Sequence, residues 1–352
     1  MATIIGSLFD DTIYDTASDD VVRARSGDDT VVTAGGDDEV FGGFGRDVLI
    51  DIVGDDTIDG GGGADRIIDY YGNDHIYGGS GNDSIESFAG DDLVSGGAGN
   101  DRIDGGTGRD YLFGDDGQDS LIGGDGRDLL SGGYGNDVVS GGTGNDSLHG
   151  DHQSPYDETL PGGDDDLFGG NGDDYAFGGN GMDVLYGGDG ADYLFGGSGN
   201  DHAFGGSGDD WIRAGEGVDQ IGGGDGADEF VFWYAKFQPS DTGLGIGNRD
   251  RVLDFDPGEG DRIDLDKYDA DSTQTSTQEF ELVHGNAFTA VGQLRYASFA
   301  SYTVIEGNTG GSLAADFQIE LAGYTGPLTA DDFVGVFELP LPLGGLLPDG
   351  LT

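Results

Sequence analysis

From Asp11 to Asp146 an aspartate occupies every ninth position, sixteen in succession, and after a break the spacing resumes from Asp165 to Asp228 for eight more. Two residues after each aspartate stands Val, Ile, Leu or Phe in 22 of these 24 units, Ala176 and Ala203 being the exceptions. Two residues before it stands glycine, without a gap from Gly27 to Gly226. A period this regular constrains the fold before any local propensity does. The unit reads Gly-Gly-x-Gly-x-Asp-x-U-x, with U apolar. Its first six residues suit a tight turn, because glycine takes left-handed backbone angles freely. Its last three alternate polar, apolar, polar, the pattern of a short half-buried strand. Turn, strand, turn, strand makes one coil of 18 residues. Stacked coils give two parallel sheets with U residues such as Ile85, Ile103 and Leu121 between them, so the expected class is all-β, a two-sheet parallel solenoid.

In such a stack, residues one coil apart lie a single strand spacing, about 4.8 Å, above each other. Asp83 then sits between Asp65 and Asp101, and carboxylates that close repel unless a cation separates them. The chain offers little countercharge of its own: 70 acidic residues face 14 basic ones, for a formal net charge of −56. Calcium fits the gap, since it takes six to eight oxygens at about 2.3 to 2.6 Å and tolerates irregular geometry, so that aspartates and glycine-turn carbonyls together complete a shell. The candidate ligands are Asp47, Asp65, Asp83, Asp101, Asp110, Asp119, Asp128, Asp137, Asp146, Asp165, Asp174, Asp183, Asp192, Asp201, Asp210, Asp219 and Asp228. They correspond to about a dozen ions, and folding is expected to depend on them.

Other chemistries find little support. So acidic a surface makes nucleic acid and anionic membranes poor partners. Cysteine is absent and the five histidines are scattered, which removes disulfides and zinc frameworks. No apolar run approaches the roughly 20 residues a membrane helix needs. The start, "MATIIGSLFDD", lacks the basic and apolar regions of a cleavable secretory peptide. No His-Glu-x-x-His zinc motif and no Gly-x-Ser-x-Gly nucleophile elbow occurs, Ser80, Ser198 and Ser207 each having Asn or Asp where the second glycine would stand. The reading is that of a non-enzyme.

The nonapeptide "GGSGNDSIE" and its siblings resemble the calcium-binding repeats of secreted RTX proteins, with 14 strict Gly-Gly-x-Gly-x-Asp matches between residues 20 and 230. That resemblance implies a right-handed parallel β-roll with calcium between successive turns. Three later segments, "DRVLDFDPGEGDRIDLDKYDAD", "FELVHGNAFTAVGQLRYA" and "DFQIELAGYTGPLTADDFV", resemble the carboxy-terminal domain of serralysin-type metalloproteases. This second likeness implies a β-rich cap ending in an uncleaved signal for a type I secretion apparatus, although the tail "ELPLPLGGLLPDGLT" runs past the usual end. The divisions are an amino-terminal capping coil over 1–28, a calcium-binding roll over 29–229 with an irregular insertion at 147–164, a cap and secretion domain over 230–338, and a tail over 339–352.

Within the roll the two edges differ. On one, Gly43, Gly61, Gly79 and Gly97 stand four residues before Asp47, Asp65, Asp83 and Asp101; on the other, Ala34, Ile52, Tyr70 and Phe88 stand before Asp38, Asp56, Asp74 and Asp92. Side chains that resist left-handed angles predict that calcium lines only the first edge of the amino-terminal half. Stacked apolar groups would hold the other edge, and both edges carry the motif from about residue 105 onward. The insertion places His149, Asp151 and His152 near one another, and is read as a surface excursion of one coil. Aromatic residues recur at the coil spacing, as Tyr175, Tyr193 and Trp211, as Phe177 and Phe195, and as Phe168, Tyr186 and Phe204. These stripes stiffen the sheet or else contact carbohydrate or a second copy.

The expected product is an exported, extracellular or cell-surface protein that folds on meeting calcium and has a structural or interaction role. An accessory module of a separately encoded enzyme or adhesin, and a self-assembling surface-layer or filament subunit, are the alternatives.

Overall fold

The computed structural model describes residues 2–151, 162–232, 249–265, 279–283, 287–309, 315 and 317–337. Successive strands alternate between two parallel sheets. The first sheet starts with Thr3–Ile5, Val21–Ser26, Glu39–Phe44 and Thr57–Gly62, and the second with Thr12–Tyr14, Thr30–Val32, Val48–Asp51 and Arg66–Asp69. Each strand pairs with the one 18 residues on, Ile58 beside Ile76 and Ile67 beside Ile85, so one coil is two strands and two turns. The fold is a parallel β-roll, as the ninefold period requires.

The core is a single file of U side chains from each sheet. All 24, from Ile13 to Phe230, are buried, most of them completely. Because each strand contributes one such residue, the apolar interior is narrow, and burial at roughly 25 cal/mol per Å² must hold a chain rich in glycine. The insertion leaves the stack intact. Ser147–Asp151 pairs directly with Tyr175–Asn180, Leu148 lying beside Ala176, so one coil is longer while the register of the aspartates is kept.

The roll continues beyond residue 229, where the sequence reading ends it. Asp250–Val252 stacks on Gln220–Asp225, and Arg262–Asp264 on Glu229–Val231. The reason is local: Asp250-Arg251-Val252 and Asp261-Arg262-Ile263 repeat the Asp-x-U signature although the spacing of nine is lost, and Val252 and Ile263 are fully buried. Asp250–Val252 then pairs in parallel with Phe317–Ala322, which runs antiparallel to Tyr302–Asn308, itself antiparallel to Gln293–Ser298. Phe280, Leu294, Ile305, Phe317, Ile319 and Leu321 extend the core beneath this unit. Arg249, 5% exposed, pairs with Glu320 at 2.5 Å, and Arg251 reaches the same carboxylate at 3.1 Å. These contacts fasten the antiparallel unit over the last coil and cover edges that could otherwise recruit foreign strands.

Candidate metal centres

One turn shows how the sequence builds a site. In Gly60-Gly61-Gly62-Gly63-Ala64-Asp65, Gly61 has φ of 96° and Gly63 of 142°, and a Cβ on either would run into the carbonyl of the turn below, Gly43 or Gly45. The turns therefore stack closely only as glycine. Gly63 N–H donates to Ser80 O at 2.7 Å, and Asp65 N–H donates to Asp83 Oδ1 at 2.7 Å.

The second of these bonds repeats along the whole roll. The first edge carries Asp11, Asp29, Asp47, Asp65, Asp83, Asp101, Asp119, Asp137, Asp165, Asp183, Asp201, Asp219 and Asp250, each amide donating to Oδ1 of the next member at 2.7 to 2.9 Å. The second edge carries Asp20, Asp38, Asp56, Asp74, Asp92, Asp110, Asp128, Asp146, Asp174, Asp192, Asp210, Asp228 and Asp261, joined in the same way at 2.6 to 3.1 Å. All seventeen aspartates proposed as ligands from the sequence lie in these columns, none more than 3% exposed. Asp250 and Asp261 were missed because they fall outside the nine-residue register, and the Asp-x-U triplet is the signal that would have found them.

Oδ1 is thus occupied, and Oδ2 is where an ion could act. Oδ2 of Asp47, Asp65, Asp83, Asp101, Asp110, Asp128, Asp174 and Asp192, among others, is buried without a hydrogen-bond donor. Each faces the space left by a glycine five residues earlier. A Cβ on Gly60 would lie 2.7 Å from Asp65 Oδ2 and 2.7 Å from the carbonyl oxygen of Gly78, one coil on. At Gly105 the corresponding values are 2.8 Å to Asp110 Oδ2 and 2.9 Å to Gly123 O, and at Gly123 they are 2.5 Å to Asp128 Oδ2 and 2.6 Å to Gly141 O. Carboxylate and carbonyl oxygens from adjacent coils converge there with no proton donor, which is the donor set of a hard cation such as calcium.

The electrostatics agree. Burial, aided by neighbouring carboxylates, pushes Asp65, Asp83 and Asp101 up to about 6, Asp110 and Asp119 to about 7, and Asp183 to about 9. The backbone N–H donated to each of these Oδ1 atoms works in the opposite direction, and burial outweighs it.

On the second edge the glycine cradle first occurs at Gly105, near the residue where the motif resumes. Ala34, Ile52, Tyr70 and Phe88 are absent from the left-handed region, which among the described non-glycine residues holds Arg25 and Asp115. Tyr70 and Phe88 stack with ring centroids 5.1 Å apart, as expected.

The aromatic stripes also form. Tyr175 and Tyr193 stack at 4.8 Å, Phe177 and Phe195 at 4.7 Å, Phe168 and Tyr186 at 5.3 Å, and Tyr186 and Phe204 at 5.3 Å. His149 belongs to one of them, stacked on Phe177 at 5.0 Å, and burial lowers its pKa to about 4. Asp151 accepts from the amides of Gly163 and Asn180. The structure therefore places His149 on the outer face of the sheet and ties Asp151 to the neighbouring turns, while His152 lies outside the described residues.

The family model for the RTX calcium-binding nonapeptide repeat matches residues 3–31, 14–49, 52–85, 86–121, 122–151, 162–194 and 195–230, together more than half of the chain. Among solved structures, the AlgE6R3 subunit of the Azotobacter vinelandii mannuronan C5-epimerase is 24% identical, over 63% of this chain and 93% of that one, with a TM-score of 0.28. The AlgE6R2 subunit of the same epimerase is 25% identical, over 46% of this chain and 91% of that one, with a TM-score of 0.27. No curated protein matches. Among the described residues no helix is long and apolar enough to cross a membrane.

Proposed function

Since the chain belongs to the family of RTX calcium-binding nonapeptide-repeat proteins, we propose that it is a secreted, non-enzymatic β-roll whose function is calcium-dependent folding itself. The observation that carries this reading is the row of buried Oδ2 atoms with no donor, those of the glycine turns facing a glycine carbonyl of the next coil. Bound there, calcium supplies the positive charge that lets stacked carboxylates approach. The chain's own residues do the rest: Oδ1 orients each aspartate through the amide of the coil below, Oδ2 and the glycine carbonyls present oxygen, and the U file excludes water from the interior.

In this reading the calcium-poor cell interior leaves the chain unfolded and fit to pass a type I secretion apparatus, and the calcium-rich exterior folds it. Residues 1–28 cap one end, 29–229 bind calcium, and 230–338, whose first two strands extend the roll, serve as the serralysin-like cap with the export signal, ahead of the 339–352 tail. Residues 338–352 lie outside the described structure. Sedimentation of the full chain tests the folding step: a compact particle in calcium that expands in chelator supports it, and one unchanged hydrodynamic radius contradicts it.

A second reading rests on the stripes. Tyr175 is 45% exposed, Tyr186 41%, Tyr193 40% and Phe168 39%, which leaves stacked rings facing water on both sheets. Such faces suit self-association into a surface layer or filament, carbohydrate, or a separately encoded enzyme or adhesin that this roll would accompany. The same sedimentation experiment tests the first of these, since self-association raises the mass in calcium and not in chelator.

A further inference from the structure

On the second edge of the amino-terminal half, the place that a glycine holds elsewhere, five residues before each column aspartate, is taken by Asp15, Thr33, Asp51, Asp69 and Ser87. Two of these five are hydroxyls, Thr33 and Ser87. Thr33 Oγ1 donates to Asp51 Oδ2, and Ser87 Oγ donates to Asp92 Oδ2. Between them the replacements are carboxylates. One oxygen each of Asp38, Asp51 and Asp56 lies within 4.8 Å of the other two, and so do oxygens of Asp56, Asp69 and Asp74. All five residues are at most 2% exposed.

Asp69 decides what this arrangement is for. It is 1% exposed, it is aimed into the second triad, and neither of its oxygens meets a hydrogen-bond donor. The Oδ2 atoms of Asp38 and Asp56 are likewise without a donor. By contrast Asp51 accepts from the Val53 amide at 3.1 Å as well as from Thr33. Among the described residues no ion pair involves any of the five. A buried carboxylate with no donor and carboxylate neighbours is tolerated only beside a positive charge or a shared proton. Oxygens bound to one calcium stand at most about 5 Å apart, twice the calcium–oxygen distance, so triads spanning 4.8 Å match that ion.

We propose that the two triads, Asp38 with Asp51 and Asp56, and Asp56 with Asp69 and Asp74, each bind one hard divalent cation through side-chain carboxylates. These sites do not use the glycine carbonyls of the other turns. The turns of this edge lack the left-handed glycine, which is why the sequence predicts no calcium here, but the residue one place earlier supplies an extra carboxylate instead. The perturbed titration is in keeping with the geometry: burial first, then the neighbouring carboxylates, push Asp69 up to about 9 and Asp56 up to about 8.

Crystals of the full chain grown in calcium, and a second set soaked in manganese, test the proposal through anomalous difference maps. A peak inside each triad, beside any peaks in the glycine turns, is the expected result; peaks in the glycine turns with none in the triads overturn it while leaving the glycine-turn sites intact, and peaks nowhere overturn both. In solution, calcium bound per chain, measured by mass spectrometry after desalting, should fall by one ion in Asp69→Asn and by one in Asp51→Asn. An Asp69→Asn chain that binds as many ions as the wild type shows instead that the carboxylates share protons, and overturns the assignment.

Discussion

Along the second edge, Asp56 and Asp74 in the amino-terminal half and Asp110 and Asp128 further on occupy equivalent places in one ladder, with amide-to-Oδ1 bonds of 2.7 to 2.9 Å throughout. What surrounds Oδ2 differs completely. Asp110 and Asp128 look across the gaps of Gly105 and Gly123 to a carbonyl oxygen, whereas Asp56 and Asp74 look at the carboxylates of Asp51 and Asp69. The comparison separates two jobs that the nonapeptide combines. The Asp-x-U triplet builds the ladder and the core, while the glycines decide which oxygens face the enclosed space.

The largest effect expected on this account comes from removing a column aspartate. Asp192→Ala should destabilise the calcium-loaded roll by about 3 to 5 kcal/mol, because the carboxylate is fully buried and bonds the coil before it, and its loss leaves an uncompensated site. Asp225→Ala, at an exposed turn position, should stay within about 0.5 kcal/mol. Denaturant midpoints in saturating calcium measure both, and equal shifts would show that the columns are misassigned.

Gly123→Ala and Ser87→Ala probe the two halves of one edge directly. Gly123 has no left-handed φ, so the added Cβ does not strain the backbone, but it would stand 2.5 Å from Asp128 Oδ2 and 2.6 Å from Gly141 O, inside the enclosed space. That variant should lose about one calcium ion per chain. Ser87 already fills its place, so Ser87→Ala should keep its ions and lose about 1 to 3 kcal/mol for the hydrogen bond taken from Asp92. Calorimetric titration with calcium distinguishes the two outcomes.

Acid should partly replace metal. Column carboxylates with folded pKa values raised to about 6 to 9 prefer the protonated form in the roll, against an ordinary value of 3.8. Their contribution to stability is therefore fully present below about pH 4 and is lost as pH rises through 6 to 9. A calcium-free chain should gain strand signal as pH falls from 9 toward 4, with the groups at about 9, Asp69 and Asp183, protonating first. Strand signal that instead declines over this range would reverse the sign of the argument.

A small gain rather than a loss is expected at Asp115, which holds φ of 74° in a place that the motif gives to glycine. Asp115→Gly relieves a left-handed conformation worth roughly 1 to 2 kcal/mol and gives up the 2.6 Å bond from Ser95 Oγ, so a net gain of about 1 kcal/mol or less in thermal unfolding is anticipated.

Much of this was legible in the sequence, for a physical reason. Where each strand contributes one buried residue and each turn one stacked aspartate, a period of nine maps directly onto register, and Ile85 beside Ile103 or Tyr70 over Phe88 could be placed without coordinates. Legibility failed where geometry was kept without spacing. Asp250 and Asp261 extend the ladders across connections of 31 and 33 residues, so no periodic reading reaches them. It failed again at Asp51 and Asp69, which look like ordinary surface acids in a chain with 70 acidic residues, and whose burial depends on which way the side chain turns at the edge.

Stacked, donorless carboxylates should leave this roll dependent on bound cations. Far-ultraviolet circular dichroism of the full chain at low salt and neutral pH, recorded with calcium, after exhaustive chelation and again after calcium is restored, tests it most directly. Strand signal should be lost on chelation and return with calcium. Strand signal that survives chelation unchanged would contradict it.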